Sequence, residues 1–232
     1  MEMSPIVQWI TDTFSSFDFN ILQFYANLHE GPLGAVLDVF FLFYTHLGDD
    51  GIFFIVLGLI FLLFKKTRKV GLGMLVGIIV GALITNVTIK PLIARPRPFE
   101  LLEYSNDPTI AVFREWWINM GEVHASSMRS FPSGHTTSAV AALVPVFMFC
   151  NKKYSWLALV AAVLMGASRN YVMVHYPSDV LGGIIVGAVA GLVAFFVISF
   201  VMNKLAESSK PALNKVATFD LIDTIKAKKN NA

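Results

Sequence analysis

Long apolar runs separated by short polar strings dominate the chain. Their lengths are those of helices that cross a bilayer, which takes roughly 20 mostly apolar residues at about 1.5 Å per residue. Six runs are read, at about residues 31–48, 49–64, 69–90, 134–150, 155–175 and 178–203. The second is the weakest: its apolar core, 52–64, is short and follows Gly48-Asp49-Asp50-Gly51, and its loss would invert half the topology. Ahead of the first run, Ile6, Ile10, Phe14, Phe17, Ile21, Phe24 and Leu28 recur at helical spacing. That spacing predicts an amphipathic helix lying at the membrane interface, broken near Ser15-Ser16 with Asp18 as a cap. The segment has no Lys or Arg, no continuous apolar core and no small-residue cleavage pattern, so it is expected to stay in the mature protein and not to act as a signal peptide.

The expected fold is therefore all-α and polytopic. An interfacial segment covers 1–30, a six-span domain 31–205 with its chemical core at about 90–179, and a mobile Lys-rich cytoplasmic tail 206–232. Composition agrees: 55% of the residues are hydrophobic and 15% charged, too apolar for an ordinary soluble domain. The formal charge of +2 is small and the basic residues are scattered, which argues against nucleic acid as a partner. Cys150 is the single cysteine, so no intrachain disulfide and no Cys-x-x-Cys site can form.

Lys65, Lys66, Arg68 and Lys69 follow span two, Lys152 and Lys153 follow span four, and Lys204, Lys210, Lys215, Lys226, Lys228 and Lys229 follow span six. With six spans all three groups share one side, which the positive-inside rule makes cytoplasmic. Lys90, Arg95, Arg97, Arg114, Arg129 and Arg169 then fall on the outer side, where positive charge needs a functional reason.

Three polar strings hold most of these outer cations. In the first, Lys90-Pro91-Leu92-Ile93-Ala94-Arg95-Pro96-Arg97-Pro98, the prolines are expected to stop the third helix and continue it as extended chain, fixing three cations near the outer surface. Isolated basic residues at a span end commonly snorkel to headgroups; the stiffening prolines favour a built anion site. In the second, Phe131-Pro132-Ser133-Gly134-His135, Ser133 suits a helix N-cap and Gly134 allows close backbone approach. Free N–H groups and the positive helix end would then face an anion beside His135.

In the third string, Ser168-Arg169 precedes His175 and Asp179. If the helix runs on to His175, Arg169 lies roughly 9 Å deeper along it. Pro177 would break that helix and Ser178 cap the next, leaving Asp179 in its first turn level with the histidine. A carboxylate bonded to one imidazole nitrogen frees the other as base or nucleophile. Alone, such a pair could equally staple two helices.

Together, the three strings match in residue type and spacing the three-part signature of the type-2 phosphatidic acid phosphatase superfamily. The chain thus resembles membrane lipid phosphate phosphatases that share a helical core with bacterial acid phosphatases and vanadium haloperoxidases. The resemblance implies His175 as nucleophile forming a phosphohistidine, Asp179 as its orienting partner and His135 as proton donor to the leaving oxygen. It implies Lys90, Arg97, Ser133, Gly134 and Arg169 as phosphate ligands, with Ser168 in support. It also implies a lipid phosphate or diphosphate as substrate, undecaprenyl diphosphate first, then phosphatidylglycerophosphate or phosphatidic acid.

The cations can do a metal's electrostatic work, and His29, His46 and His124 form no ligand cluster with nearby carboxylates. No metal and no cofactor is expected. A lipid flippase or anion carrier would also need intramembrane cations but not both His135 and the His175–Asp179 pair.

Glycines 73, 77 and 81, and 183, 187 and 191, form two stripes that suit close helix packing, either within one chain or between the chains of a homodimer. Asp38 is expected in the cytoplasmic half of span one, bonded to a polar core group. Phe113, Trp116 and Trp117 in the 99–129 segment suit interfacial anchoring, in a segment that either covers the site or is a plain surface loop.

Overall fold

Packing of small residues organises the bundle. The computed structural model describes residues 4–103, 108–121, 129–207 and 220–221, and contains helices and no strand among them. The helices are α1 (Pro5–Glu30), α2 (Gly34–His46), α3 (Ile52–Leu62), α4 (Arg68–Ala82), α5 (Lys90–Ile93), α6 (Pro98–Glu103), α7 (Pro108–Asn119), α8 (Gly134–Phe149), α9 (Lys152–Tyr171) and α10 (Pro177–Ala206). A π-helical stretch, Leu83–Ile89, joins α4 to α5.

The central helix is α8, whose residues from Ala139 to Ala142 are almost wholly buried. Both glycine stripes press on it. A Cβ at Gly77 would stand 2.3 Å from the Ala141 carbonyl oxygen, and one at Gly73 2.7 Å from Pro145. From α10, Gly187 would meet Val140 at 2.6 Å and Gly191 would meet Val144 at 2.7 Å. No side chain fits at these separations, so glycine is what lets α4 and α10 approach α8. The stripes serve packing within one chain.

Several expectations are corrected here. The first two runs do not form a hairpin: α2 and α3 meet at a break with a bend of only 49°, so they continue in one general direction. Two left-handed residues, Asp50 and Gly51, make that break. Asp38 accordingly does not lie at the basic end. Its carboxylate accepts from Tyr171 Oη at 2.6 Å and contacts His29 Nδ1 at 2.9 Å, at the same end of α9 as Arg169 and the turn to α10. The bonding to polar core groups is as expected; its depth is not.

α1 is one unbroken helix through Ser15 and Ser16, and Asp18 is 4% exposed within it instead of capping a break in α1. Nor does the chain leave the helix at Pro91: the π-helical stretch carries it on, and it ends only at Ala94, which adopts φ 50°. Phe113, Trp116 and Trp117 point inward, packed with Leu22, Ala26, Phe41, Phe99 and residues 171–174, so they do not anchor at a surface.

Two of the described helical stretches, Arg68–Glu100 and Pro177–Ala206, are long and apolar enough to cross a membrane, and the bent α2–α3 pair makes up to a third. The basic groups gather at one end of the bundle. Lys69 Nζ donates to Asn203 Oδ1 at 3.2 Å and the Lys65 N–H to Asp220 Oδ2 at 2.8 Å, while Lys152 and Lys153 open α9 next to the end of α8. The start of α8, the end of α9 and the start of α10 lie at the other end. Apart from Ala206, Glu207, Asp220 and Leu221, the tail lies outside the described residues.

Candidate active site

Two helix starts and one helix end create the site. At α8, Ser133 caps the helix, its Oγ accepting from the Thr136 N–H at 3.4 Å. Its own N–H donates to the Asp179 carbonyl at 3.0 Å, which ties the start of α8 to the start of α10. Gly134 follows, and a Cβ there would stand 3.5 Å from Lys90 Nζ. The ammonium of the first string therefore lies over the N-terminal turn of α8, where amide N–H groups and the helix dipole already favour an anion.

At the other edge, α9 ends at Tyr171, earlier than the run of apolar residues predicts. Met173 adopts φ 58°, and residues 172–176 leave the helix. His175 is thus carried by a turn and is not helically in line with Arg169. The N-cap of α10 is Tyr176 and not Ser178; the Asp179 carboxylate accepts the Tyr176 N–H at 2.9 Å, as an acid in the third helical position can. The expected placement of Asp179 in the first turn holds.

His175 is 1% exposed and Asp179 0%. Its Nδ1 stands 3.4 Å from Asp179 Oδ2, and its Nε2 3.2 Å from Arg97 Nη1. An arginine nitrogen can only donate, so Nε2 is the acceptor and Nδ1 carries the proton shared with Asp179. That is the tautomer a nucleophilic imidazole needs, with its lone pair turned into the cation cluster. Arg97 is further fixed by donating to the Val174 carbonyl at 2.6 Å.

Arg169 is buried, and its Nη1 donates to Thr45 Oγ1 at 2.5 Å. Lys90, Arg97 and Arg169 lie close enough for their charges to act on one another. Such a concentration of like charge is costly in a low-dielectric bundle unless an anion joins it. Ser168 donates to the Met165 carbonyl at 2.7 Å, a bond within α9. His135 completes the group at the first turn of α8, with its side chain 22% exposed and Nε2 2.9 Å from Asp49 Oδ1.

Behind these groups is a buried ionic network that the strings did not reveal. Arg95, 2% exposed, donates from Nη1 to Asp179 Oδ1 at 2.8 Å and to Ser178 Oγ at 2.7 Å, and from Nη2 to Asp18 Oδ2 at 3.0 Å. Asp18 also accepts the Ser178 N–H at 2.7 Å, and the Arg95 guanidinium lies 3.9 Å from the centre of the Tyr176 ring. Arg95 is therefore a buried support for Asp179, not a surface cation. The available signal for Asp18 was an acid among the apolar positions of an amphipathic helix. For Asp49 it was an acid pair flanked by glycines between two apolar runs.

Among the described residues, no group of three or more His, Cys, Asp or Glu side chains is placed to hold a metal ion. What the assembly can do is bind a tetrahedral anion with three cations and helix N–H groups, present an imidazole lone pair to it, and offer a second imidazole from the more open side.

Comparisons with known proteins agree with this chemistry. The family model described as the PAP2 superfamily matches residues 70–203. The chain is 28% identical over 157 residues to an undecaprenyl-diphosphatase of Sulfolobus acidocaldarius, covering 66% of this chain and 67% of that protein. It is 30% identical over 164 residues to a lipid A 4'-phosphatase of Porphyromonas gingivalis, covering 66% of this chain and 63% of that protein. Among solved structures, a transmembrane PAP2-type phosphatidylglycerolphosphate phosphatase from Bacillus subtilis superposes with a TM-score of 0.58 at 28% identity, covering 86% of this chain and 91% of that one.

Proposed function

We propose, from the premise that this chain belongs to the PAP2 superfamily, that it hydrolyses the terminal phosphate of a membrane lipid diphosphate, undecaprenyl diphosphate first, through a phosphohistidine at His175. The observation that carries this reading is the orientation of His175, with Nδ1 toward Asp179 and Nε2 toward Arg97. Lys90, Arg97, Arg169 and the N–H groups after Ser133 hold the phosphoryl oxygens. His175 Nε2 attacks phosphorus, the bond to the leaving oxygen breaks, and that oxygen takes a proton from His135. Water then attacks the phosphohistidine, the P–N bond breaks, and the proton from water returns to His135. The three cations neutralise the equatorial oxygens, so the steps proceed without a metal ion.

The diphosphate substrate is supported by the undecaprenyl-diphosphatase relative, and the solved neighbour makes phosphatidylglycerophosphate the second substrate to test. Phosphate release from a detergent-solubilised panel of undecaprenyl diphosphate, phosphatidylglycerophosphate and phosphatidic acid, in excess chelator, tests both points. Fastest release from the diphosphate is expected, unchanged by the chelator, with vanadate competing for the site. Activity restored only by a divalent ion would defeat the metal-free mechanism.

In this reading α1 stays at the interface, the basic end of the bundle faces the cytoplasm and the site lies outside. Glu115→Cys and Lys153→Cys, each in a Cys150→Ala background, place a thiol at exposed positions near the two ends. An impermeant thiol reagent on intact cells is expected to label the first and spare the second. The reverse pattern would place the site in the cytoplasm.

A further inference from the structure

The break between α2 and α3 is an odd place for two acids. A 49° bend means that Gly48, Asp49, Asp50 and Gly51 interrupt a path continuing in one general direction, where an uninterrupted helix would satisfy every backbone group. Instead Asp50 and Gly51 take left-handed conformations, and no described side chain caps the new helix. The distortion brings residues 48 and 49 against His135. A Cβ on Gly48 would stand 2.6 Å from the imidazole Cδ2 and 2.7 Å from Met165 Sδ, so the ring packs on bare backbone. Asp49 then bridges two histidines, with Oδ1 2.9 Å from His135 Nε2 and Oδ2 2.9 Å from His46 Nδ1. His46 is 67% exposed at the side chain, Asp49 53% and His135 22%, so the chain of contacts leads inward from the surface.

We propose that Asp49 is a positioning residue for the proton donor: it holds His135 through Nε2, turns Nδ1 to the leaving oxygen, and supplies the counter-charge for an imidazolium beside the phosphate-binding cations. Lys90 and Arg169 act on the His135 ring with positive charge, His175 lies near, and Asp49 supplies the opposing negative charge. When His135 gives its proton to the leaving oxygen it becomes neutral, and it regains a proton when water attacks the phosphohistidine. The carboxylate stays ionised throughout and favours the charged ring at the start of each cycle. His46 orients the carboxylate from its other oxygen and places it in contact with solvent.

This inference rests on the phosphatase reading and deepens it, so its test uses a ratio between two esters. Dodecyl phosphate in detergent leaves as an alkoxide, which needs a proton as the bond breaks. p-Nitrophenyl phosphate leaves as a stable phenolate, which does not. Asp49→Asn is expected to lower kcat on dodecyl phosphate by at least about 100-fold, the scale of a general-acid contribution, with less than about a 10-fold loss on the aryl ester. KM on either ester and the inhibition constant for vanadate should change less than about 3-fold, because the phosphate ligands are untouched. Equal losses on both esters, or a loss confined to KM, would overturn the assignment. Asp49→Glu keeps the charge on a longer stem and supplies a second test should the asparagine variant not fold: the same selective loss is expected at smaller size, and an equal loss on both esters counts against the role. Failure of the phosphatase reading looks different, since wild-type protein would then release phosphate neither from these esters nor from undecaprenyl diphosphate.

Discussion

His175→Ala is expected to abolish turnover, by at least about four orders of magnitude, and to abolish the acid-labile phosphoenzyme formed with phosphate-labelled substrate. The variant removes the lone pair at Nε2, which stands 3.2 Å from Arg97 Nη1 in the wild-type protein. Asp179→Asn tests the orientation separately. Its amide oxygen can still accept from Arg95 Nη1, but the amide nitrogen would face two donors, His175 Nδ1–H and the Tyr176 N–H. The ring is then favoured in the wrong tautomer. Substrate binding should survive while kcat falls, on the scale of about 10⁴ seen when a triad carboxylate is replaced by its amide. Full labelling and turnover in His175→Ala would remove the proposed nucleophile.

The second large effect falls on stability and activity together. Arg95→Ala leaves Asp18 and Asp179 buried without the guanidinium that both contact, and breaking a buried pair from one side costs about 3–5 kcal/mol. A markedly lower thermal midpoint in detergent and loss of phosphate release are expected. Arg95→Lys should rescue little, because one ammonium cannot reach Ser178, Asp179 and Asp18 along the two Nη directions used here. Asp18→Asn should be milder, since an amide oxygen can still accept from Arg95 or Ser178. A wild-type midpoint and rate in Arg95→Ala would show that the network does not support the site.

Much of this was legible from local pattern. The helical class, the cap at Ser133, the place of Asp179 in the first turn of α10 and the small-residue stripes all follow from short-range rules of hydrophobic period, turn chemistry and backbone freedom. The membership of the PAP2 superfamily was carried by the three polar strings, and it stands on the match over residues 70–203. Side chains named from those strings do gather at one end of the bundle, because α8 starts, α9 ends and α10 starts there.

What the sequence by itself determined is what neighbouring residues decide: where apolar helices run, which residues can cap them, and which motif carries cations and histidines in order. Tertiary structure decided the direction and the partners. The length of an apolar run does not say whether the chain reverses at its polar end, so the α2–α3 break looked like a hairpin until the 49° bend showed otherwise. Nor does an isolated acid announce its partner. Asp18 reaches Arg95 across 77 positions, because buried charge must find an opposite charge wherever packing brings one, and the half-exposed Asp49 reaches His135 across 86.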